Sequence, residues 1–262
     1  MFFRDFQELS SHYQEGMKKI KYRNTWVKIQ KDDLELKLTQ ARGNYDLYFN
    51  EAGYLYQCVH FDEYKNSRIK YNYDRFNRLV SAIEVSPLNN EFREIYELTY
   101  DDQGRLATET CRTFQSEDEP MKSFYYIHKY IDNMDIISAF INDEDEAAYE
   151  MRHTYDKNHN LIEMKGFFRN HEMEGWSKFK YDKQGNLIKQ MHLDDRGRTF
   201  KTLNFRPPFL KGTGSPFTCV TPKQTYTIDN KYSFNEKGHW IQKIFLNNNE
   251  MTTFCTRDIE YY

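Results

Sequence analysis

The 262-residue chain carries 37 basic and 40 acidic residues, a formal charge of −3, mixed along its length. That balance argues against a general nucleic-acid binder and against polybasic membrane attachment, and no apolar run approaches the roughly 20 residues of a membrane helix. Hydrophobic content is only 39% while aromatics reach 17%, with 21 Tyr and 20 Phe, which predicts an all-β protein whose thin core is made of rings.

The first stretch, Met1 to Gly16, has no basic segment leading into an apolar core. A cytoplasmic location is expected, with a secreted or surface-associated protein trimmed of its leader as the alternative. Phe2, Phe6, Leu9, Tyr13 and Ile20 share one helical stripe, with Arg4, Asp5, Gln7 and Glu8 off it. Residues 1–22 are therefore predicted as an amphipathic α-helix that caps the open edge of the sheet behind it.

Residues 23–262 are predicted as a single β-hairpin repeat domain. Trp26 to Gln30 and Leu34 to Leu38 alternate around Lys31-Asp32-Asp33, and then a repeat begins. An aromatic residue closes each arriving strand at Phe49, Tyr73, Tyr100, Tyr130, Tyr155, Tyr181 and Phe234, at intervals of 24 to 30 residues with one double interval. Two residues earlier stand Leu47, Tyr71, Leu98, His128, His153, Phe179 and Tyr232, while the positions between are mostly polar. Six residues later come Leu55, Leu79, Leu106, Ile136, Leu161, Leu187 and Trp240. One face is packed and the other wet, as in an antiparallel sheet. The connections are too short for parallel crossovers, so the strands form an antiparallel β-meander.

Asp182-Lys183-Gln184-Gly185 shows the turn chemistry: Asp opens a type I turn and Gly takes the left-handed position that follows, leaving a bulge. Leu203 and Phe205 look like another arriving strand, but a Pro/Gly-rich insertion near 207–222 follows, holding four of the six prolines. Of the cysteines, Cys58 and Cys111 fall about four strands apart, roughly 19 Å, so free thiols are expected.

Tyr100 to Leu106 and Tyr181 to Leu187 resemble the YD repeat, or Rhs repeat, Y-D-x-x-G-x-L. Tyr73 to Leu79 and Tyr155 to Leu161 follow it with Asn77 and His159 in place of Gly. Phe49 to Leu55 and Phe234 to Trp240 keep the Gly but begin Phe-Asn, and Tyr130 to Ile136 departs furthest. The resemblance covers roughly residues 45–262. It implies hairpins wound into a curved or spiral sheet with structural or binding roles and no catalysis. In large secreted members such sheets enclose toxin domains or serve as adhesion scaffolds. This chain shows no self-cleavage region and no toxin domain, so the shell function is not carried over.

The candidate sites are sparse. His171-Glu172-Met173-Glu174-Gly175 lacks the second His of a zinc-protease helix and reads as a solvated turn. His128 and His153 share a register position and could approach each other beside a carboxylate, but buried sheet histidines are commoner than two-residue metal sites. Lys211 to Ser215 is Gly-rich without being a phosphate loop. No catalytic residue, metal or cofactor is predicted. The expected function is a non-enzymatic repeat scaffold for protein–protein interaction, through a concave face, an exposed edge and the insertion. By family association it could be an accessory or neutralising partner in a toxin system. The binding residues are Trp176, Phe209, Lys211, Phe217 and Trp240. A carbohydrate-binding module using Trp176 and Trp240 is the alternative, ahead of a hydrolase. Nucleic acid and membrane are not expected partners.

Overall fold

The computed structural model describes residues 6–7, 9–10, 12–13, 15–28, 37–40, 44–61, 66–85, 93–114, 120–141, 147–206, 216–248 and 250–262. Its elements are nineteen strands: β1 (Met17–Lys28), β2 (Lys37–Gln40), β3 (Tyr45–Phe49), β4 (Leu55–Phe61), β5 (Asn66–Tyr73), β6 (Leu79–Val85), β7 (Arg93–Tyr100), β8 (Leu106–Phe114), β9 (Pro120–Ile131), β10 (Met134–Ile141), β11 (Tyr149–Tyr155), β12 (Leu161–Phe168), β13 (Met173–Tyr181), β14 (Leu187–Leu193), β15 (Thr199–Phe205), β16 (Phe217–Val220), β17 (Thr225–Phe234), β18 (Trp240–Asn247) and β19 (Glu250–Tyr261). All belong to one sheet.

The hairpins are made by one local device. At Asp182 the backbone N–H donates to the Asn186 carbonyl (3.0 Å), and the Gly185 N–H donates back to the Asp182 carbonyl (3.1 Å). The Asp182 carboxylate accepts from the Gln184 N–H and the Asn186 N–H, both at 2.9 Å, and from the Asn186 amide, also at 2.9 Å. Asp74, Asp101 and Asp156 repeat this pattern with Arg78, Arg105 and Asn160. The fourth turn residue has positive φ in each: Asn77 62°, Gly104 77°, His159 60° and Gly185 82°. A register shift just before the aromatic, as between Lys180 and Tyr181, is the expected bulge.

The aromatic that precedes the turn is usually Tyr for a reason outside its own hairpin. The hydroxyl of Tyr181 donates to the Leu161 carbonyl (2.9 Å), that of Tyr130 to Leu106 (2.9 Å) and that of Tyr73 to Leu55 (2.5 Å). Each tyrosine thus fastens its hairpin to the start of a departing strand one hairpin back, and its polar tip is satisfied where its ring is packed.

One expectation about the repeat is corrected. Ile131-Asp132-Asn133-Met134 is a tighter turn, with Ile131 opposite Met134 and Asp132 at φ 52°. It has no bulge, so Asp135 and Ile137 take the packed face at 8% and 3% exposure in place of Ile136. The same aspartate turn also occurs between β14 and β15, where Asp194 binds the Arg196 and Arg198 N–H groups at 3.0 and 2.8 Å.

The open curved or spiral sheet with a capping helix is overturned by the pairing of β1. On one side β1 runs antiparallel to β19, with Ile20 opposite Ile259 and Tyr22 opposite Arg257. On the other it pairs first with β3 and then with β2. First and last strands are neighbours, so the sheet closes on itself with the connectivity of a β-barrel. Neither β1 nor β19 offers an edge for a helix to cap.

The 1–22 helix is corrected too. Strand begins at Met17, because Ile20 and Tyr22 alternate with lysines, and before it Phe6, Gln7, Leu9 and Ser10 are helical. This segment packs onto the sheet's face. Phe6 meets Tyr71 at 5.2 Å between ring centroids and Tyr13 meets Phe49 at 5.1 Å. Gly53 makes room, since a Cβ there would lie 2.6 Å from the Tyr13 ring. Phe2 and the Leu34 to Leu38 run lie wholly or partly outside the described residues.

The chain divides into two compact units, Met1–Arg93 with Leu210–Gly214 and Thr227–Tyr262, and Glu94–Phe209 with Ser215–Tyr226. In the first, Met17, Ile20, Leu47, Phe49, Leu55 and Cys58 are at most 1% exposed. In the second, Leu98, Leu106, Cys111 and Ile137 are buried beside Glu109. All four cysteines are free and buried.

The turn geometry sets a paired test by urea unfolding. Gly185→Ala, which brings a Cβ into the left-handed region, is expected to cost about 1 kcal/mol, and His159→Gly to gain up to about 1 kcal/mol. The Asn186 amide and then its backbone N–H hold the Asp182 carboxyl below its ordinary 3.8, and Asn160 does the same for Asp156. A depressed carboxyl stabilises the fold above its unfolded pKa and loses that contribution as pH falls through the folded one. Stability should therefore decline below about pH 4, less steeply in an Asp156→Asn, Asp182→Asn variant.

Candidate functional site

Two arrangements in the second unit gather chemistry-bearing side chains. On the packed face a cross-strand row runs from β9 to β15. Asp135 pairs with Tyr130 on one side and His153 on the other, His153 with Met164, Met164 with Ser177, Ser177 with His192 and His192 with Lys201.

The carboxylate near both His128 and His153 is Asp135, while His128 itself stands opposite Ile137. His128 Nδ1 lies 3.6 Å from Asp135 Oδ1, and His153 stands directly across from Asp135. His153 turns its Nε2 toward Met151 Sδ at 2.8 Å. Among the described residues no group of three or more His, Cys, Asp or Glu side chains is placed to hold a metal. Burial, then the Asp135 charge, pushes the Tyr130 phenol up to about 12.

Further along, Ser177 Oγ and His192 Nδ1 are 3.1 Å apart. A hydroxyl beside an imidazole is half of a nucleophilic pair, but the base must be able to accept a proton. Burial, then the Lys201 ammonium, holds His192 below its ordinary value. The cation opposes the imidazolium that general-base catalysis would form, and the pair makes a hydrogen-bonded contact between strands.

On the solvent face, Trp176 of β13 lies between Lys165 of β12 and Leu193 of β14 in register. Its indole N–H donates to Glu163 Oε1 at 2.9 Å, and the ammonium groups of Lys165 and Lys178 stand 4.6 and 4.8 Å from its ring centroid. Leu193 is 8% exposed on this face, and Gly197 approaches so closely that a Cβ there would lie 3.2 Å from the indole. Two like-charged pairs sit directly opposite each other around this aromatic, Arg152 with Lys165 and Lys180 with Lys189. Such pairs are destabilising by themselves; here Glu150 lies 2.6 Å from Arg152 and Glu163 3.1 Å from Lys165, which offsets the first pair. Met191 and the exposed Val220 extend the patch along β14 to β16, through Thr202.

The other expected binding residues are not gathered there. Trp240 is 4% exposed, stacked under Arg257 and edge-on to Tyr22, so it belongs to the core of the first unit. Phe217 packs on Phe205 at 5.7 Å, in the β15–β16 hairpin. Phe209 and Lys211 lie outside the described residues. His171 is an exposed turn residue at φ 61°. The lysines around Trp176 were missed because the register that assembles them depends on bulges in β12 and β13; the Lys-x-Lys spacing of Lys178 and Lys180 was the available signal.

No protein-family model and no curated protein matches the chain. Among solved structures it is similar to a porin-like protein from Bacteroides uniformis, at 10% identity and TM-score 0.35 over 95% of this chain and 98% of that one. A porin-like protein from Bacteroides vulgatus is similar at 10% identity and TM-score 0.38, over 92% and 97%. The TcdB2-TccC3-Cdc42 structure is similar at 12% identity and TM-score 0.38, over 86% of this chain and 14% of that one. The spiral architecture drawn from the YD-repeat resemblance gives way to the closed sheet. The cytoplasmic location drawn from the N-terminus finds no support in the fold or in these likenesses.

The histidines predict a measurable pH response. His192 has its folded pKa lowered, so the unfolded chain binds the proton more readily and stability falls as pH drops below about 6.5. In NMR titration the His192 ring should titrate below that value and move up in Lys201→Met.

Proposed function

We infer that this chain is a non-enzymatic binding scaffold that docks an acidic segment of a partner protein on the Trp176 face. The observation that carries the reading is the ring of cations around a half-buried tryptophan: Arg152, Lys165, Lys178, Lys180 and Lys189 share one face of β11 to β14 with Glu150 and Glu163. Glu150 pairs with Arg152, and Glu163 with Lys165 and Lys178, which still leaves these five cations facing two carboxylates, an excess that favours a partner bringing more. Trp is also the residue type most often found as an interface anchor.

Closure of the sheet removes recognition by strand addition at β1 and β19, so a face is the surface that this reading uses. The His192 environment argues against acyl transfer at Ser177. A membrane-spanning role is disfavoured by Arg68 and Lys70 on the exposed face of β5, because the outward face of a spanning barrel carries an apolar band. A secreted or surface-associated location goes with this reading.

The test is fluorescence anisotropy with labelled poly-glutamate, a neutral Gly/Ser peptide and alginate as probes. Poly-glutamate should bind, more weakly as salt rises. Trp176→Ala and the pair Lys178→Glu, Lys189→Glu should each weaken it at least about tenfold, and Lys70→Glu should leave it unchanged. Absence of poly-glutamate binding, or alginate binding in its place, overturns the reading.

A further inference from the structure

The first unit holds a second cluster, unrelated to the Trp176 face. On β19, Arg257 is 3% exposed, and on β18, Lys243 is 4% exposed. Arg257 lies opposite Tyr22 of β1, and Tyr22 lies opposite Tyr45 of β3 and stacks on it at 4.8 Å and 5°. Lys243 pairs with Cys255, two residues before Arg257 on the same face. The Arg257 guanidinium sits 4.4 Å from the centroid of the Trp240 ring. From the N-terminal segment, the His12 carbonyl accepts from Arg257 Nη2 at 3.2 Å, and the His12 ring lies 3.3 Å from the Tyr45 hydroxyl through Nε2.

Donors dominate this cluster. Arg257 Nε and Trp240 Nε1 are buried N–H groups with no acceptor. A buried donor left without an acceptor costs about 1–3 kcal/mol, more when it is charged. Two such donors stacked on each other is an arrangement that protein interiors seldom keep.

We propose that Arg257 and Trp240, with Lys243 on the same packed face, form an oxyanion-binding site that takes a phosphate or carboxylate group. Such a group supplies several acceptor oxygens and negative charge together, which is the complement of an indole N–H, a guanidinium edge and an ammonium. Burial works against both cations: against the opposing pull of Tyr45, Tyr22 and Tyr261 it lowers Arg257 to about 10, and against that of Cys255 it lowers Lys243 to about 8. It also lowers the neighbouring His12 to about 4, with Arg257 and then Lys243 adding to the effect. An anion held here would relieve that desolvation. The His12 carbonyl, already on Nη2, shows that an oxygen acceptor fits against this guanidinium.

The experiment uses the full chain and two probes, inorganic phosphate and acetate, followed by the indole N–H resonance of Trp240, assigned with Trp240→Phe. A saturable downfield shift of that resonance with either probe is expected, and the probe that gives it identifies the oxyanion class. Arg257→Gln should abolish the shift. Trp240→Phe, which keeps a ring and removes the donor, should weaken binding about tenfold as read by calorimetry. If Arg257→Gln fails to fold, Lys243→Met serves in its place and should weaken binding at least tenfold. No saturable response to either anion, or one that survives all the variants, overturns the site.

Discussion

A tyrosine hydroxyl bound to a backbone carbonyl one hairpin back is the contact on which the architecture rests. Tyr73, Tyr130 and Tyr181 each make it, to Leu55, Leu106 and Leu161. A hairpin alone is marginal in water, and this bond ties each to its predecessor at the point where the ring is packed and the carbonyl lies near the strand's start. The aspartate beside it then satisfies the N–H groups of the reversal. Tyr and Asp are thus adjacent because one fastens hairpins together and the other closes the turn between strands.

The same economy explains how a chain so poor in aliphatic residues keeps a core. Rings cover the packed face, and the ionisable groups interleaved among them are held by neighbours, as Ser177 is by His192 and Tyr45 by His12. A packed face of this kind tolerates polar rows because cross-strand register brings a partner to each group. Where it leaves an N–H group without an acceptor, as at Arg257 Nε and Trp240 Nε1, a ligand is the complement we propose. On the other face, register has the opposite effect: it sets lysine against lysine around Trp176 and leaves a surface that an acidic partner would complete.

Closure changes what this sheet can do. An open meander offers its edges for recognition and needs them covered. With β1 bonded to β19 on one side and to β3 and β2 on the other, those terminal edges are consumed and the N-terminal segment is free to lie on the packed face. Phe6 and Tyr13, which on a helical stripe look like the contacts of an edge cap, become rings set among Tyr71, Tyr73 and Phe49.

Local chemistry determined the strands, the period and the turns, because alternation and the Asp-x-x-Gly reversal depend on residues within a few positions of each other. Asn77 and His159 could be read as left-handed turn residues for that reason. Whether the ends of the sheet meet was decided by the pairing of Ile20 with Ile259, residues almost a chain length apart, and no local pattern encodes that choice. The rows Tyr130–Asp135–His153 and Lys165–Trp176–Leu193 were likewise decided by tertiary register. Each bulge, or the lack of one at Asp132, shifts which side chains stand opposite each other, and only the assembled sheet adds those shifts together.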